Sequence, residues 1–209
     1  VKESPTMNTP HAHTPSALAS IDRREFVARL LAATPDALVI SGLGSPTYDV
    51  YASGDQDRYF YLWGAMGGAL PLGLGLALAQ PKRPVLVITG DGEQLMGMGA
   101  LATAAAQSPP NLSVVVLDNG HFGETGMQRS HTSLGTKLVD VAKACGFPRT
   151  QEIFQLNEVK ALAQGIQARQ GLMLAQVHIK QEDLPRVLPT RDGTFLKNRL
   201  RMHLGHPLV

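Results

Sequence analysis

The chain has 209 residues, 44% of them hydrophobic, and a formal net charge of +2 at pH 7. This length accommodates one domain of ordinary size with a substantial core. Basic residues are scattered apart from a cluster at 197–201, which argues against a nucleic-acid-binding role. No apolar run reaches the roughly 18 residues of a membrane-spanning helix, so we expect no membrane role.

Two features bear on the cellular compartment. The single cysteine, Cys145, cannot form an internal disulfide and is compatible with a reducing compartment, so we expect a cytoplasmic protein. Cys145 lies in VAKACGF, on an apolar helix face, which favours a buried structural thiol over a catalytic one. The first 20 residues are polar and proline-rich, without the features of a signal peptide, and we expect residues 1–20 to form a mobile tail.

From Ile21 onwards, predicted helices and strands alternate. Apolar residues at 26, 27, 30 and 31 predict an amphipathic helix that Asp22 caps. ALVISG predicts a buried strand, followed by the loop GLGSPT. RYFYLWG predicts a second strand, and AMGGALPLGLGLALA predicts a helix of small residues. PVLVITG predicts the third strand, and a single helix, EQLMGMGALATAAAQ, follows it.

The second half continues the alternation. LSVVVLDN predicts a fourth strand, before a long loop over 120–135. A helix over 136–145, a short strand at 151–154, a helix over 157–169 and the strand LMLAQVHI complete the order. Strands that are apolar on both faces and alternate with helices indicate a parallel sheet that is covered on both sides.

The predicted fold is therefore α/β: one doubly wound domain over residues 21–180, with a mostly parallel sheet of about six strands and helices on both faces. Residues 181–209 are predicted to form a carboxyl-terminal arm. This arm either packs on a neighbouring chain or ends in a short helix.

Two predicted strands end in polar turns. The third ends in Gly90-Asp91-Gly92 and the fourth in Asp118-Asn119-Gly120. Ligands of open α/β sheets bind outside the carboxyl ends of strands, and consecutive strands are often neighbours. A carboxylate, an amide oxygen and a backbone carbonyl suit Mg²⁺ or Ca²⁺, and the start of the following helix suits a phosphate. Either turn alone is common, but together they indicate a metal-bound diphosphate.

The Gly90-Asp91-Gly92 motif, with Asn119 after it, resembles the signature of thiamine-diphosphate enzymes. GDGEQLMGMGALAT and PPNLSVVVLDNGHFGETGMQ look most like the branch that holds phosphonopyruvate decarboxylase and sulfopyruvate decarboxylase. The resemblance runs from about residue 41 to 128, with a weaker similarity in LPRVLPTRDGTFLKNRLR. It implies thiamine diphosphate and Mg²⁺ as cofactors, with Asp91, Asn119 and the backbone carbonyl of His121 as the metal ligands.

The resemblance also implies how the rest of the cofactor is held. Gly92 and Glu93 begin the helix whose amides face the diphosphate, and Ser45 matches a position that often contacts it. WGAMGGA resembles the segment that grips the aminopyrimidine ring. Met66 matches the bulky residue beneath the thiazolium, while the Gly64 carbonyl and the Met66 amide bind the pyrimidine. Gly64, Met66 and His121 are the residues that we expect to take part in catalysis.

Part of such an active site is missing from the predicted domain. Family members of this mechanism need a glutamate at the pyrimidine N1′, and it lies on a separate pyrimidine-binding domain. The surroundings of Glu25 do not resemble that motif. We therefore expect a partner subunit to supply the glutamate, in a hetero-oligomer with at least two copies of each chain.

The resemblance implies a small anionic 2-oxo acid, similar to sulfopyruvate or phosphonopyruvate, that is decarboxylated to an aldehyde and CO₂. The loop NGHFGETGMQRSHTS should border its pocket. The polar members of this loop are His121, Glu124, Thr125, Gln128, Arg129 and His131. Arg129 or His131 is a candidate for binding a phosphonate or sulfonate. Glu124 and Met127 depart from the Ser-Thr-Gly-Gly-Gln that the family often shows, which leaves the substrate open.

Two other functions remain open. The same cofactor supports carboligation or acyl transfer, and the chain is alternatively a non-catalytic cofactor-binding scaffold. A plain dinucleotide-binding domain is disfavoured, because SGLGSPT lacks the third glycine of G-x-G-x-x-G.

Overall fold

The structure is a computed structural model that describes residues 21–206. The predicted mobile tail, residues 1–20, lies outside the described residues. The helices are α1 (Arg23–Ala33), α2 (Ser45–Ala52), α3 (Ala69–Ala79), α4 (Asp91–Met96), α5 (Ala100–Gln107), α6 (Leu138–Cys145), α7 (Val159–Gln167) and α8 (Gly193–His203). The strands are β1 (Leu38–Ser41), β2 (Tyr59–Tyr61), β3 (Val85–Gly90), β4 (Leu112–Asp118), β5 (His121–Phe122), β6 (Gln128–Arg129), β7 (Arg149–Ile153) and β8 (Met173–His178).

Six strands form one sheet in the order β2-β1-β3-β4-β8-β7, and every neighbouring pair is parallel. This confirms the predicted α/β fold. The chain leaves β1 towards β2 on one side and continues from β3 towards β4 on the other. The order therefore reverses between β1 and β3, which is where open α/β sheets bind ligands.

The core has two halves, one on each face of the sheet. On β3, Leu86 and Ile88 pack with α1, α2 and α7 on one face, whereas Val85 and Val87 pack with α3, α5 and α6 on the other. Because successive side chains of a strand point to opposite faces, a strand covered on both sides must be apolar at every position. This requirement explains why the run VLVI predicts a buried parallel strand.

Helix α2 was not predicted. Its segment SPTYDVYA lacks the helical period of apolar residues, yet Tyr48, Asp49 and Val50 are all buried. The missed signal was proline in the first turn after Gly44, whose φ is +81°. Tertiary burial stabilises this helix, because its intrinsic helix propensity is weak.

The prediction of one helix after β3 was wrong, because the helix is divided into α4 and α5. The break falls at Gly97-Met98-Gly99. A Cβ on Gly97 would lie 2.4 Å from the carbonyl oxygen of Gly67. Glycine is required here because the two backbones touch, and the contact brings the segment before α3 against the end of α4.

The loop over 120–135 also contains more structure than predicted. Strands β5 and β6 form a short antiparallel hairpin within it. Gly126 and Met127 have left-handed backbones, with φ of +118° and +60°. A left-handed backbone is a strained conformation for methionine, at the position where the related motif often has glycine.

The carboxyl-terminal arm ends in α8, the second of the two predicted outcomes. The helix packs on β2 of its own chain: Leu196 is fully buried, and Arg199 donates to the carbonyl of Tyr59 (2.8 Å) and pairs with Asp55 (2.6 Å). It covers an edge strand that would otherwise expose unpaired backbone groups. Cys145 is only partly buried, against the α3–α5–α6 half of the core, so the prediction of a buried thiol was wrong in degree.

Within residues 21–206, no helix combines the length and the apolar character needed to cross a membrane.

Candidate functional site

A cleft lies at the carboxyl ends of β1, β3 and β4. Eight of the nine predicted site residues line it: Ser45, Met66, Gly90, Asp91, Gly92, Glu93, Asn119 and His121. The ninth, Gly64, is not among the lining residues and lies just before Met66 with φ of +69°. The prediction that Asp91 and Asn119 line one site is consistent with this arrangement, although their roles stay predictions.

The cleft is small and partly open. Its volume is about 100 Å³, whereas complete small-molecule sites have roughly 300–1,000 Å³. Met66, at the rim, is 43% exposed. The cleft formed by residues 21–206 is therefore smaller than a complete cofactor site.

Asp91 is the first residue of α4 and is 3% exposed. Its Oδ2 accepts hydrogen bonds from the Ser130 hydroxyl (2.5 Å) and from the Thr132 hydroxyl (3.3 Å). Burial, and next the negative charge of Asp118, raise the pKa of Asp91 to about 7. Among residues 21–206 no cationic side chain offsets this rise, so a bound cation would compensate a carboxylate that is costly to bury.

Asp118 lies beside this group but is fully engaged by its own chain. Its Oδ1 accepts from the Thr132 hydroxyl (2.8 Å) and the Gly120 amide (2.9 Å), and its Oδ2 accepts from the Gln176 side chain (2.6 Å). Asp118 therefore orients the loop after β4, while Asp91 faces the cleft. We call Asp91, Asp118, Ser130, Thr132 and Gln176 the carboxylate network.

Sequence reasoning missed three members of the carboxylate network. Ser130 and Thr132 lie in a polar loop, where hydroxyl residues are ordinary and carry no signal. Gln176 did carry a signal in the sequence, because it is the polar residue inside the otherwise apolar LMLAQV run. A buried amide in a central strand needs a polar partner, and here that partner is Asp118.

Asn119 and His121 form the turn after β4. The Asn119 side-chain oxygen accepts from the His121 amide (2.9 Å), an Asx-type turn. An amide oxygen has two lone pairs, so this oxygen retains one for a metal. The His121 ring nitrogen Nδ1 lies 2.8 Å from the Asn119 carbonyl oxygen. This contact restricts rotation of the His121 ring.

Glycine at position 92 permits a close contact across the cleft. A Cβ on Gly92 would lie 2.8 Å from the Phe122 ring and 3.8 Å from the Met66 methyl group. Phe122 thus packs directly on the backbone of α4. The motif's second glycine is explained by this packing at the cleft.

The Glu93 carboxylate is turned into the protein. It accepts from the Thr89 hydroxyl (3.0 Å) and the Ala69 amide (3.4 Å), and the amides of Leu43 and Gly67 also bond to it. Burial raises the pKa of Glu93. Its side chain joins the loop after β1 to the segment before α3, so two walls of the cleft depend on it.

A Cβ on Gly42 would lie 1.7 Å from the Glu93 Oε2, so the carboxylate occupies the space that only a glycine leaves.

The loop after β4 lines one side of the cleft, and the carboxyl-terminal arm packs against this loop. Arg186 of the arm pairs with Glu124 at 3.3 Å, and Trp63 donates to the Thr190 carbonyl at 3.0 Å. Arg129 and His131, which we predicted as anion-binding candidates, do not line the cleft. Arg129 instead donates to the Ser133 hydroxyl at 3.2 Å within its own loop.

Residues 44–188 match the family described as thiamine pyrophosphate enzyme, C-terminal TPP binding domain. Because the match covers most of the chain, the chain belongs to this family. The match supports thiamine diphosphate as its cofactor.

Curated relatives show which members of this family the chain resembles. The chain is 40% identical over 185 residues to phosphonopyruvate decarboxylase of Streptomyces hygroscopicus, covering 86% of this chain and 46% of the relative. It is 41% identical over 160 residues to sulfopyruvate decarboxylase subunit beta of Methanothermobacter thermautotrophicus, covering 77% of this chain and 83% of the relative. The chain thus spans about half the length of the first relative and most of the second.

Solved structures support the fold. The benzoylformate decarboxylase of Polynucleobacter necessarius aligns with a TM-score of 0.66 and 20% identity, over 85% of this chain and 36% of that one. A thiamin diphosphate-dependent enzyme of Mycobacterium smegmatis aligns with a TM-score of 0.65 and 23% identity, over 85% and 35%.

Proposed function

We propose that this chain is one subunit of a decarboxylase that depends on Mg²⁺ and thiamine diphosphate and converts a small anionic 2-oxo acid into an aldehyde and CO₂. The observation that carries the proposal is the buried Asp91 carboxylate in a cleft with Asn119, within a TPP binding domain. The relatives named phosphonopyruvate and sulfopyruvate decarboxylase, at 40% and 41% identity, support the reaction and the substrate class.

The metal would be held by the Asp91 carboxylate, the Asn119 amide oxygen and the His121 backbone carbonyl, together with diphosphate oxygens. These are hard oxygen donors, which suit Mg²⁺. Among residues 21–206 there is no group of three or more His, Cys, Asp or Glu side chains suited to a metal. A metal site that relies on one carboxylate is consistent with this composition, because the diphosphate supplies the remaining charge.

The residues of this chain bind and orient the cofactor, and the bound cofactor supplies the electron sink that allows CO₂ to leave. Met66, at the rim, would support the ring system, and Phe122 packs on the backbone of α4 at Gly92. The carboxylate network holds Asp91 in its orientation. Glu93 holds together two walls of the cleft, the loop after β1 and the segment before α3, between which the cofactor would bind.

A partner subunit would supply the activating glutamate. Of the two glutamates that line the cleft, Glu93 is held by backbone amides and Glu124 is paired with Arg186. Neither is free to take that role. The small volume of the cleft and the relative named subunit beta also support a second subunit, with at least two copies of each chain.

Carboligation is the second candidate. It is favoured by a more distant relative, a probable acetolactate synthase of Oryza sativa, with 31% identity over 152 residues, 63% of this chain and 22% of the relative. Product analysis with sulfopyruvate as substrate, with and without an added aldehyde, separates the two reactions. A free aldehyde product supports decarboxylation, and a ligated product in the presence of the acceptor supports carboligation.

Calorimetric titration of thiamine diphosphate into the chain, with and without Mg²⁺, tests the cofactor assignment. We expect binding that requires Mg²⁺ and that strengthens when the co-purifying subunit is present. Absence of binding under all of these conditions would overturn the proposed function.

A further inference from the structure

A buried arginine lines the cleft and has no role in the account given so far. Arg23, at the start of α1, is 4% exposed and is among the residues that line the cleft. Its Nε lies 3.2 Å from Oδ2 of Asp49, which is fully buried. These two atoms lack hydrogen-bond geometry, and neither has another hydrogen-bond partner.

Two arginines contact the single buried carboxylate of Asp49. Arg24 also donates to Asp49, at 3.1 Å, so two guanidinium groups share one carboxylate. Burial raises the pKa of Asp49, and the positive charge of Arg23 and Arg24 opposes that rise. Burying ions is costly, and apolar residues would fill the same space more cheaply. Arg23 is thus a buried cation in the cleft wall that shares its one carboxylate partner with Arg24 and has an unsatisfied Nε, an arrangement that suits an anionic ligand in the cleft.

Two contacts place Arg23 in the wall of the cleft, between the end of β8 and helix α2. The backbone bridge between Ile21 and Ile179 brings the start of α1 beside the end of β8. Pro46, in the first turn of α2, lies against the end of β3: a Cβ on Gly90 would be 3.8 Å from it. Helix α2 has no side-chain cap at its amino terminus. Arg23, the start of α2 and the Gly90-Asp91-Gly92 turn thus all line the one cleft.

We propose that Arg23 binds the diphosphate group of the cofactor through its guanidinium, with Asp49 as the residue that orients it. The planar guanidinium suits phosphate oxygens, and the start of α2 provides a favourable dipole beside it. This inference rests on the proposed function, because it assigns a further binding residue to the same site.

The test compares Arg23→Gln with Arg24→Gln. Both variants remove one positive charge from the same Asp49, but Arg24 does not line the cleft. Binding of magnesium pyrophosphate and of thiamine diphosphate is measured by calorimetry on the full chain with its co-purifying subunit. We expect Arg23→Gln to weaken both by roughly tenfold to a hundredfold, as the loss of a hydrogen bond to a charged group predicts. Arg24→Gln should change them less than about threefold.

Thiamine without phosphates is the second ligand probe. A direct contact with the diphosphate predicts that Arg23→Gln leaves thiamine binding unchanged, whereas a structural defect weakens thiamine and thiamine diphosphate alike. If Arg23→Gln does not fold, Arg23→Lys is tested in its place. It keeps the charge opposite Asp49 but loses the planar fork, and we expect weaker pyrophosphate binding with unchanged thiamine binding.

The outcomes separate the inference from the proposed function. If the wild-type chain binds thiamine diphosphate and Arg23→Gln binds it equally well, the inference is wrong and the proposed function stands. Equal losses in Arg23→Gln and Arg24→Gln would also contradict it. If the wild-type chain binds neither thiamine diphosphate nor pyrophosphate, the proposed function fails together with the inference.

Discussion

The two ends of the cleft are built differently. At the end marked by Asp91, the side chains are buried, and a continuous set of hydrogen bonds runs through Ser130, Thr132 and Asp118. At the end marked by Met66, large apolar side chains are exposed, and Met96 is 66% exposed. The buried end is completed by this chain, whereas nothing among residues 21–206 covers the apolar end. The difference supports the proposal that residues 21–206 carry the diphosphate end of the site and leave an open face for a partner.

The largest effect is expected at Asp91. Asp91→Asn keeps the shape of the side chain but removes the charge that Mg²⁺ requires, and metal ligands of this kind are worth several kcal/mol. We expect the affinity for thiamine diphosphate with Mg²⁺, measured by calorimetry, to fall by about a hundredfold or more. Asp57→Asn, at an exposed position, is the matched control and should bind normally. Retained affinity in Asp91→Asn would exclude Asp91 as a ligand.

The next effect tests the position of Glu93. Gly42→Ala would displace the Glu93 carboxylate from its amide partners, and we expect a loss of about 2–4 kcal/mol in the free energy of unfolding in urea. Gly75→Ala is the control, because a Cβ there meets no atom within 4 Å and the site is in α3. It should stabilise the protein by about 0.5–1 kcal/mol. Equal stabilities of the two variants would show that Glu93 has no structural role.

A smaller effect is expected for Thr132→Val. The substitution keeps the shape but removes the hydroxyl between Asp91 and Asp118. Its single proton bonds to Asp118 at 2.8 Å and is shared with Asp91 at 3.3 Å, so the main loss falls on Asp118. We expect the free energy of unfolding to fall by about 1–3 kcal/mol. Thr125→Val, in the same loop but exposed, should change it by less than about 0.5 kcal/mol. If Thr132→Val has unchanged stability, the loop is not stabilised through the carboxylate network.

The smallest effect on folding is expected at the apolar end. Met96→Ser should leave the free energy of unfolding of the chain within about 0.5 kcal/mol, because the side chain is exposed. If this end receives a partner, the same variant should weaken association with the co-purifying subunit, as measured by sedimentation. Met202→Ser, at a similarly exposed position on α8, is the control and should associate normally. Normal association of Met96→Ser would show that the partner binds at another surface of the chain.

The sequence predicted the sheet well because its central strands contain runs that are apolar on both faces, such as VLVI in β3 and VVVL in β4, a pattern that few other structures require. The prediction failed at α2, which is stabilised by burial and not by helix propensity. It also failed at Gly97, where a backbone contact with Gly67 interrupts the helix that was predicted after β3. Such contacts join residues far apart in the chain, and no local pattern reports them.

At the site, the motif glycines and Asp91 were readable because turns at strand ends have a narrow residue preference. The hydroxyl residues Ser130 and Thr132 were not readable, since their partners Asp91 and Asp118 lie outside their own loop. Arg23 was equally hidden, because its sequence position is that of an ordinary charged residue in an amphipathic helix, and only the structure shows its burial.

The central claim is that this chain carries the diphosphate end of a decarboxylase site that a second subunit completes. The most direct measurement is CO₂ release from sulfopyruvate and phosphonopyruvate, with thiamine diphosphate and Mg²⁺, by the chain alone and with its co-purifying subunit. We predict release only when both subunits are present. Release by this chain alone would contradict the claim, because a glutamate of this chain would then have to activate the cofactor.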